Sequence, residues 1–253
     1  MTSALPRSFY GKNEALAISR LEDFGLQAKG VQMGGMNTTG KSFEDLYDQT
    51  SSQLLNKTGK ESFEAMKILK GADPKNYQPT AGVQYPVSKL GNALKQIAML
   101  IKMEVGIEIA FAESGGWDTH FNQGAANGIL ARNLKDFSDC IAAFYKDLGN
   151  YQDEVTLMTM TEFGRTVKQN GTGGTDHGRA SCLMVLGNDT AGGKIHHNIK
   201  SLAVADLEDG RDLPVTTDFR SVFAIVAGKH LGLVAPQKLF SDWSGIPMAE
   251  LMR

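Results

Sequence analysis

An α/β fold with a mostly parallel sheet, one antiparallel strand and flanking helices is the architecture this sequence predicts. Three observations predict it. First, a strongly periodic helical stretch lies between two short apolar runs, "GIEIAFA" and "EVTLMTM". Strand, loop, helix and strand in that order make a βαβ unit, whose two strands run parallel. Second, a third apolar run, "SCLMVLG", follows about twenty residues with no helical pattern. A parallel crossover needs a helix, whereas an antiparallel neighbour needs only a loop, so this strand is expected to run antiparallel to its predecessor. Third, amphipathic stretches before and after these runs supply the flanking helices.

Residues 1–40 are weakly patterned and end in the glycine-rich loop "GVQMGGMNTTGKS". Two helical stretches follow, "SFEDLYDQTSSQLLNK" and "SFEAMKILKG", with Ser42 and Ser62 as N-caps. The linker "ADPKNYQPTAGVQYP" leads to "VSKLGNALKQIAMLIKM", where Val87, Leu90, Leu94, Ile97 and Ile101 share one helical face. Beyond "GIEIAFA" comes the longest helix. It places Ile129, Leu130, Leu134, Phe137, Ile141, Phe144 and Leu148 at three- and four-residue steps. A final helix within "LPVTTDFRSVFAIVAGKHLG" is capped near Thr217 or Asp218 and stopped at Gly232. The expected organisation is one domain over 1–253, with 1–104 mostly helix and loop and 105–253 carrying the sheet.

Composition narrows the function classes. The chain has 253 residues, 42% hydrophobic and 21% charged, with a net charge of −2. Neither a general nucleic-acid partner nor a membrane-surface role is indicated. No apolar run reaches the roughly 18 residues a membrane span requires, and the first twenty residues lack the apolar core of a signal peptide. Cys140 and Cys182, in expected helix and strand, read as two buried free thiols. No GxSxG elbow, GxGxxG fingerprint or complete Walker loop is present; "GGMNTTGKS" reads as a loop and helix cap.

Ligands in open α/β sheets bind beyond the carboxyl ends of the strands. "GIEIAFA" delivers Glu113, Asp118 and His120 just past its end, and "EVTLMTM" delivers Thr161, Glu162 and Arg165. The antiparallel return carries "NGTGGTDHGR" to the same edge, so Asp176 and His177 are expected to meet Asp118, His120 and Glu162. Two imidazoles and three carboxylates suit a divalent cation: zinc for the imidazoles, calcium, magnesium or manganese for the oxygens. Such a cation polarises an ester oxygen and activates water. Arg165, Lys168 and Arg179 are candidates to hold an anion, with the glycines opening backbone N–H groups to it.

Each piece has a plainer reading. Asp118-Thr119-His120 alone is an Asx-turn with a surface histidine, and Trp117 alone is a packing residue. Glu162 and Arg165 are i, i+3 neighbours able to pair with each other. His196 and His197 follow "AGGK" in a turn and read as solvated. His230 ends a helix, where a cationic side chain suits the dipole. Convergence at one sheet edge is what raises the first cluster above these.

The motifs "GGWDTHFNQ", "TEFGRTVKQNGTGGTDHG" and "LPVTTDFRSVFAIVAGKHLG", in this order, closely resemble the domain of unknown function 1501 family. "ALPRSFYGKNEALAISRLEDFGL" resembles that family's middle region, so the likeness covers nearly the whole chain. The resemblance implies the alkaline phosphatase and sulfatase superfamily, a three-layer fold with a central sheet and bound divalent cations. It also implies a bacterial parent exported to the periplasm or beyond by a twin-arginine signal. Family members carry a substantial region before the "ALPR" segment, which in the superfamily supplies a metal-binding Asp and the nucleophilic Ser or Thr. On that resemblance the chain is expected to be a C-terminal fragment, with its nucleophile outside it.

A second departure concerns the site itself. Superfamily enzymes follow a strand with Ser-Asp-His-Gly, where this chain has Thr161-Glu162-Phe163-Gly164. In that register Glu162 replaces the Asp, Phe163 replaces a metal-binding His, His177 matches a later His and His120 an earlier one. Another register pairs Asp176-His177-Gly178 with Asp-His-Gly, and the antiparallel return favours the first. The expected function is a metal-dependent hydrolase of phosphate or sulfate esters, or an inactive fragment of one. Its metal ligands would be His120, His177, Asp118, Asp176 and Glu162, with Arg165 and Arg179 for the anion. The alternative is a non-catalytic exported or cell-surface module, with a degenerate metal site and a partner such as a surface glycan.

Overall fold

The computed structural model describes residues 76–253 and, ahead of them, only positions 15, 17 and 49. The loop expected within 1–40 and the two helices expected within 42–71 lie outside the described residues. Two compact units make up the chain: Met1–Ser114 with Asp139–Leu148, and Gly115–Ser138 with Gly149–Arg253.

In the first unit, helix α1 spans Lys89–Lys102. Ser88 caps it, its extended backbone letting Oγ accept from Gly91 N at 3.1 Å. Gly91 is required there, since a Cβ would stand 2.2 Å from the Pro86 carbonyl oxygen. Leu90, Leu94 and Ile97 of the expected apolar face are buried. Val87, expected on the same face, is fully exposed because it precedes the cap and lies outside the helix. Residues 106–112, "GIEIAFA", carry no strand pairing. A strand exists only where a neighbour takes up its backbone groups, and no described segment does so here. Every ladder among the described residues is antiparallel.

Helix α2, Ile129–Leu148, is the 20-residue element the periodicity predicts. Its buried positions are Cys140, Ala143, Phe144, Asp147 and Leu148, whereas Leu134 is exposed. A carboxylate therefore sits within the apolar stripe. Asp147 is fully buried and accepts from Tyr77 and Tyr85 hydroxyls at 2.9 Å each, from Thr80 N at 2.7 Å and from Lys102 Nζ at 2.5 Å. Burial raises its pKa, but the Lys102, Thr80 and tyrosine hydrogen bonds outweigh burial and hold the carboxyl below its usual range. Burial first, and Asp147 second, push both phenols above the ordinary tyrosine range.

The second unit is built on a paired return. Strand β1 (Leu157–Met158) pairs antiparallel with β4 (Val185–Leu186), and β2 (Gly164–Arg165) pairs antiparallel with β3 (His177–Gly178). "SCLMVLG" thus runs back along "EVTLMTM", as its lack of a crossover helix implies. Leu157 faces Leu186 and Gly164 faces Gly178, so the register slips by one residue between the ladders. The spare residue lies within 179–183, where Ala180 N bonds instead to Leu213 O at 3.3 Å. Cys182, expected to be buried, is exposed in this slipped stretch, which leaves it outside β4.

Helix α3, Phe219–Lys229, is capped by Asp218, whose carboxylate accepts from Arg220 N at 2.9 Å. The chain turns away after His230, and Gly232 adopts φ +67°. Val222, Ile225 and Val226 pack with Leu251 and Met252 against Met158, Leu183, Val185 and Met248. Backbone bonds Ala191 N to Leu251 O (2.8 Å) and Arg253 N to Asp189 O (2.7 Å) fasten the last residues over this core.

Candidate metal centre

Segment 117–123 and the loop between β2 and β3 build the site. Thr119 and Thr175 are buried, and both hydroxyls donate to Gln123 Oε1, at 2.8 and 2.7 Å. Thr175 N donates to Thr119 O at 3.2 Å, and Asn122 N and Gln123 N donate to Thr172 O and Gly173 O. The loop is thereby laid against the segment that carries Asp118 and His120. Gly174 permits the contact: a Cβ would lie 2.2 Å from the carbonyl carbon and oxygen of His120. Gly164 and Gly178 serve the ladder in the same way, with added Cβ atoms 2.0 Å from Ala180 O and 2.6 Å from the Arg165 carbonyl carbon. These glycines let backbone meet backbone.

Three ligand atoms converge. Asp118 Oδ1 lies 2.9 Å from His120 Nε2 and 2.8 Å from His177 Nε2. With one ligand atom each, the three residues lie within 4.8 Å of one another. Two imidazole nitrogens and one carboxylate oxygen are a donor set that transition ions, zinc above all, accept with an open fourth position. At zinc–ligand distances of about 2.1 Å, tetrahedral ligand atoms stand about 3.4 Å apart. The donor types present fit such an ion, with Asp118 Oδ1 now closer to each ring nitrogen than a bound ion would hold it.

Asp176 stands behind the set. Its Oδ1 meets His120 Nδ1 at 2.9 Å, on the far side of the ring from Asp118. Arg165 also supports the set: Nη1 donates to Asp118 Oδ1 at 2.8 Å, Nε donates to Thr175 Oγ1 at 2.9 Å, and Nη2 donates to the Thr175 carbonyl. The His177 hydrogen bond first, and the Arg165 bond second, hold the Asp118 carboxyl below its usual range. Asn170 and then His120 do the same for Asp176.

The expected cluster is thus divided. Asp118, His120 and His177 come together directly, and Asp176 joins through the His120 ring. Glu162 is exposed and outside the three-residue set. Arg165 bonds Asp118, and Arg179 pairs with Glu208 at 3.2 Å. Phe163 stacks on the His177 ring, centroids 4.2 Å apart and planes 7° apart, with the Arg165 guanidinium 5.5 Å from its centroid. His230 lies at the end of α3 and meets Thr156 Oγ1 at 3.1 Å.

Asn170, Gln123 and the three threonines escaped the reading of the sequence. Asn170 had a signal, since Asn at the head of a glycine-rich loop is a frequent Asx-turn residue. Its Oδ1 accepts from Thr172 N and Gly174 N, both at 3.0 Å. Gln123 had none, because its role depends on two threonines separated by more than fifty residues.

The described units combine three helices, short antiparallel ladders and a surface His–Asp cluster. They define a candidate metal-binding protein of mixed helix and strand. The profile of one family, described as "Protein of unknown function (DUF1501)", matches residues 27–242, and the chain belongs to that family. No curated protein and no solved structure matches it.

Proposed function

We propose that this chain is a metal-dependent hydrolase of phosphate or sulfate esters, related to the alkaline phosphatase and sulfatase superfamily and exported from a bacterial cell. The observation that carries the reading is the approach of His120 Nε2 and His177 Nε2 to Asp118 Oδ1, at 2.9 and 2.8 Å. A divalent cation held by Asp118, His120 and His177 would supply Lewis acidity toward an ester oxygen and would activate water. The chain's residues supply the rest. Asp118 contributes a carboxylate that accepts from Arg165 Nη1 at 2.8 Å. Arg165 fixes that carboxylate and retains further N–H donors for a small anionic group.

The test is zinc uptake by the full chain, purified without chelator, followed by hydrolysis of p-nitrophenyl phosphate and p-nitrophenyl sulfate. Uptake of one equivalent, lost in His177→Ala and His120→Ala, supports the site, and turnover lost with it supports the hydrolase. Absence of any bound divalent ion sinks both. A second reading, a non-catalytic exported or cell-surface module, draws on Phe163. It stacks on His177 where the superfamily resemblance expects a ligand, and Glu162 stands outside the cluster. Zinc binding without turnover of either ester favours that module, with a surface glycan as the partner to test.

A further inference from the structure

Asp176, expected to be a ligand, lies outside the three-residue set. Its Oδ1 accepts from His120 Nδ1 at 2.9 Å, so the opposite nitrogen, Nε2, is the one that faces Asp118. Asn170 Nδ2 donates to the same Asp176 oxygen at 3.0 Å and to the His120 backbone carbonyl at 3.0 Å. The amide orientation is fixed, because Asn170 Oδ1 accepts from Thr172 N, Gly174 N and Thr172 Oγ1. One side chain therefore holds both the backbone of His120 and the carboxylate behind its ring.

We propose that Asn170 and Asp176 are the positioning pair of the candidate metal site: Asn170 anchors Asp176, and Asp176 fixes the His120 ring so that Nε2 faces the cation. The inference rests on the metal reading above. A carboxylate on the far nitrogen sets the tautomer, orients the ring and raises its basicity, and its loss typically costs 10–100-fold in metal affinity. Asp176 needs no direct bond to the ion for this. Asn170 contributes geometry alone, and its two donors cannot be supplied by the isosteric aspartate.

The experiment compares the full-length wild-type chain with Asp176→Ala, Asp176→Asn and Asn170→Asp. Zn²⁺ affinity comes from chelator competition, Co²⁺ coordination from visible absorption, and ring-nitrogen tautomers of the metal-free chain from NMR. In Asp176→Ala, Zn²⁺ affinity is expected to fall about 10–100-fold with the Co²⁺ spectrum of the loaded site unchanged. Asp176→Asn, which retains an acceptor oxygen, should recover part of that loss. Asn170→Asp should match Asp176→Ala, because it removes both donors and sets a second negative charge against Asp176. In the metal-free chain the His120 tautomer should shift in Asp176→Ala while that of His177 does not.

Unchanged affinity in Asp176→Ala overturns the positioning role and leaves the metal reading standing. A changed Co²⁺ coordination number in that variant makes Asp176 a ligand and also overturns it. A wild-type chain that takes up no Zn²⁺ overturns the metal reading instead, and an unmoved His120 tautomer then overturns the pair independently. Thermal unfolding of each variant separates a site effect from a folding defect, and the half-exposed Asp176 side chain makes its removal tolerable to the fold.

Discussion

At the scale of single residues, two positions govern most of what is chemically unusual. Gly174 lets the loop lie against His120, and alanine there would drive a methyl into backbone that has no flexible end to yield. Gly174→Ala should cost about 1–3 kcal/mol by the usual range for overpacking and weaken Zn²⁺ binding, as chemical denaturation and chelator competition would show. Asp147 is the second. Removing one partner of a buried, hydrogen-bonded ion pair typically costs 3–5 kcal/mol, so Asp147→Ala should unfold at markedly lower urea. The sign of its pH dependence follows from its lowered carboxyl pKa. Its contribution is complete above the unfolded carboxyl value, about 3.9, and is lost as pH falls through the lower folded value. Urea midpoints at pH 3 and pH 6 should therefore converge in Asp147→Asn relative to wild type. Neither role was visible in the sequence. Asp147 stands at a position where periodicity expects solvent or an apolar side chain, and its partners Tyr77, Tyr85 and Lys102 lie 45–70 residues away.

At the scale of elements, helices were legible and strands less so. Caps and apolar spacing are local properties: α1 and α2 fall on the expected apolar stripes and α3 starts after Asp218, whereas the Ser88 cap of α1 was not read from the sequence. Ser88→Ala should lower stability by about 1 kcal/mol, the usual worth of an N-cap, measurable in a thermal melt. Asp218→Ala should cost at least as much, because Asp218 also pairs with Arg220 at 2.6 Å. Strands depend on partners. The expected strand "GIEIAFA" finds none among the described residues, and "EVTLMTM" and "SCLMVLG" each contribute a two-residue ladder. The direction of the return was nevertheless deducible, because a parallel crossover normally needs a helix and this connection shows no helical pattern.

At the scale of the whole molecule, folding and the candidate site are linked in the second unit. Loop, ladder and ligand-bearing segment share one hydrogen-bond network, and the core beneath α3 is closed by Leu251 and Met252. A cation that binds only the folded site stabilises it by mass action, about 2.7 kcal/mol when free metal is a hundred times the dissociation constant. Zn²⁺ should therefore raise the unfolding temperature of wild type and leave His177→Ala unmoved, as calorimetry would show. Leu251→Ala should cost about 2–5 kcal/mol by the usual range for a buried leucine, without altering Zn²⁺ affinity in the folded protein.

Among the described residues, the sequence by itself determined the three helices, the Asp218 cap, the antiparallel return and the residue types that could form a site. These follow from local sterics, from the 3.6-residue period and from what a short connection can span. Tertiary structure alone decided which of the candidates meet. Spacing could not tell that Asp176 would stand behind His120, that Glu162 would fall outside the three-residue set, that Arg179 would pair with Glu208, or that Arg165 would bond Asp118. Those outcomes depend on the one-residue slip between the ladders and on backbone contacts at Gly164, Gly174 and Gly178. A shift of one residue exchanges the side chains presented to each face of a strand. The chemistry of the site is therefore set by register, a property that no segment of the chain possesses alone.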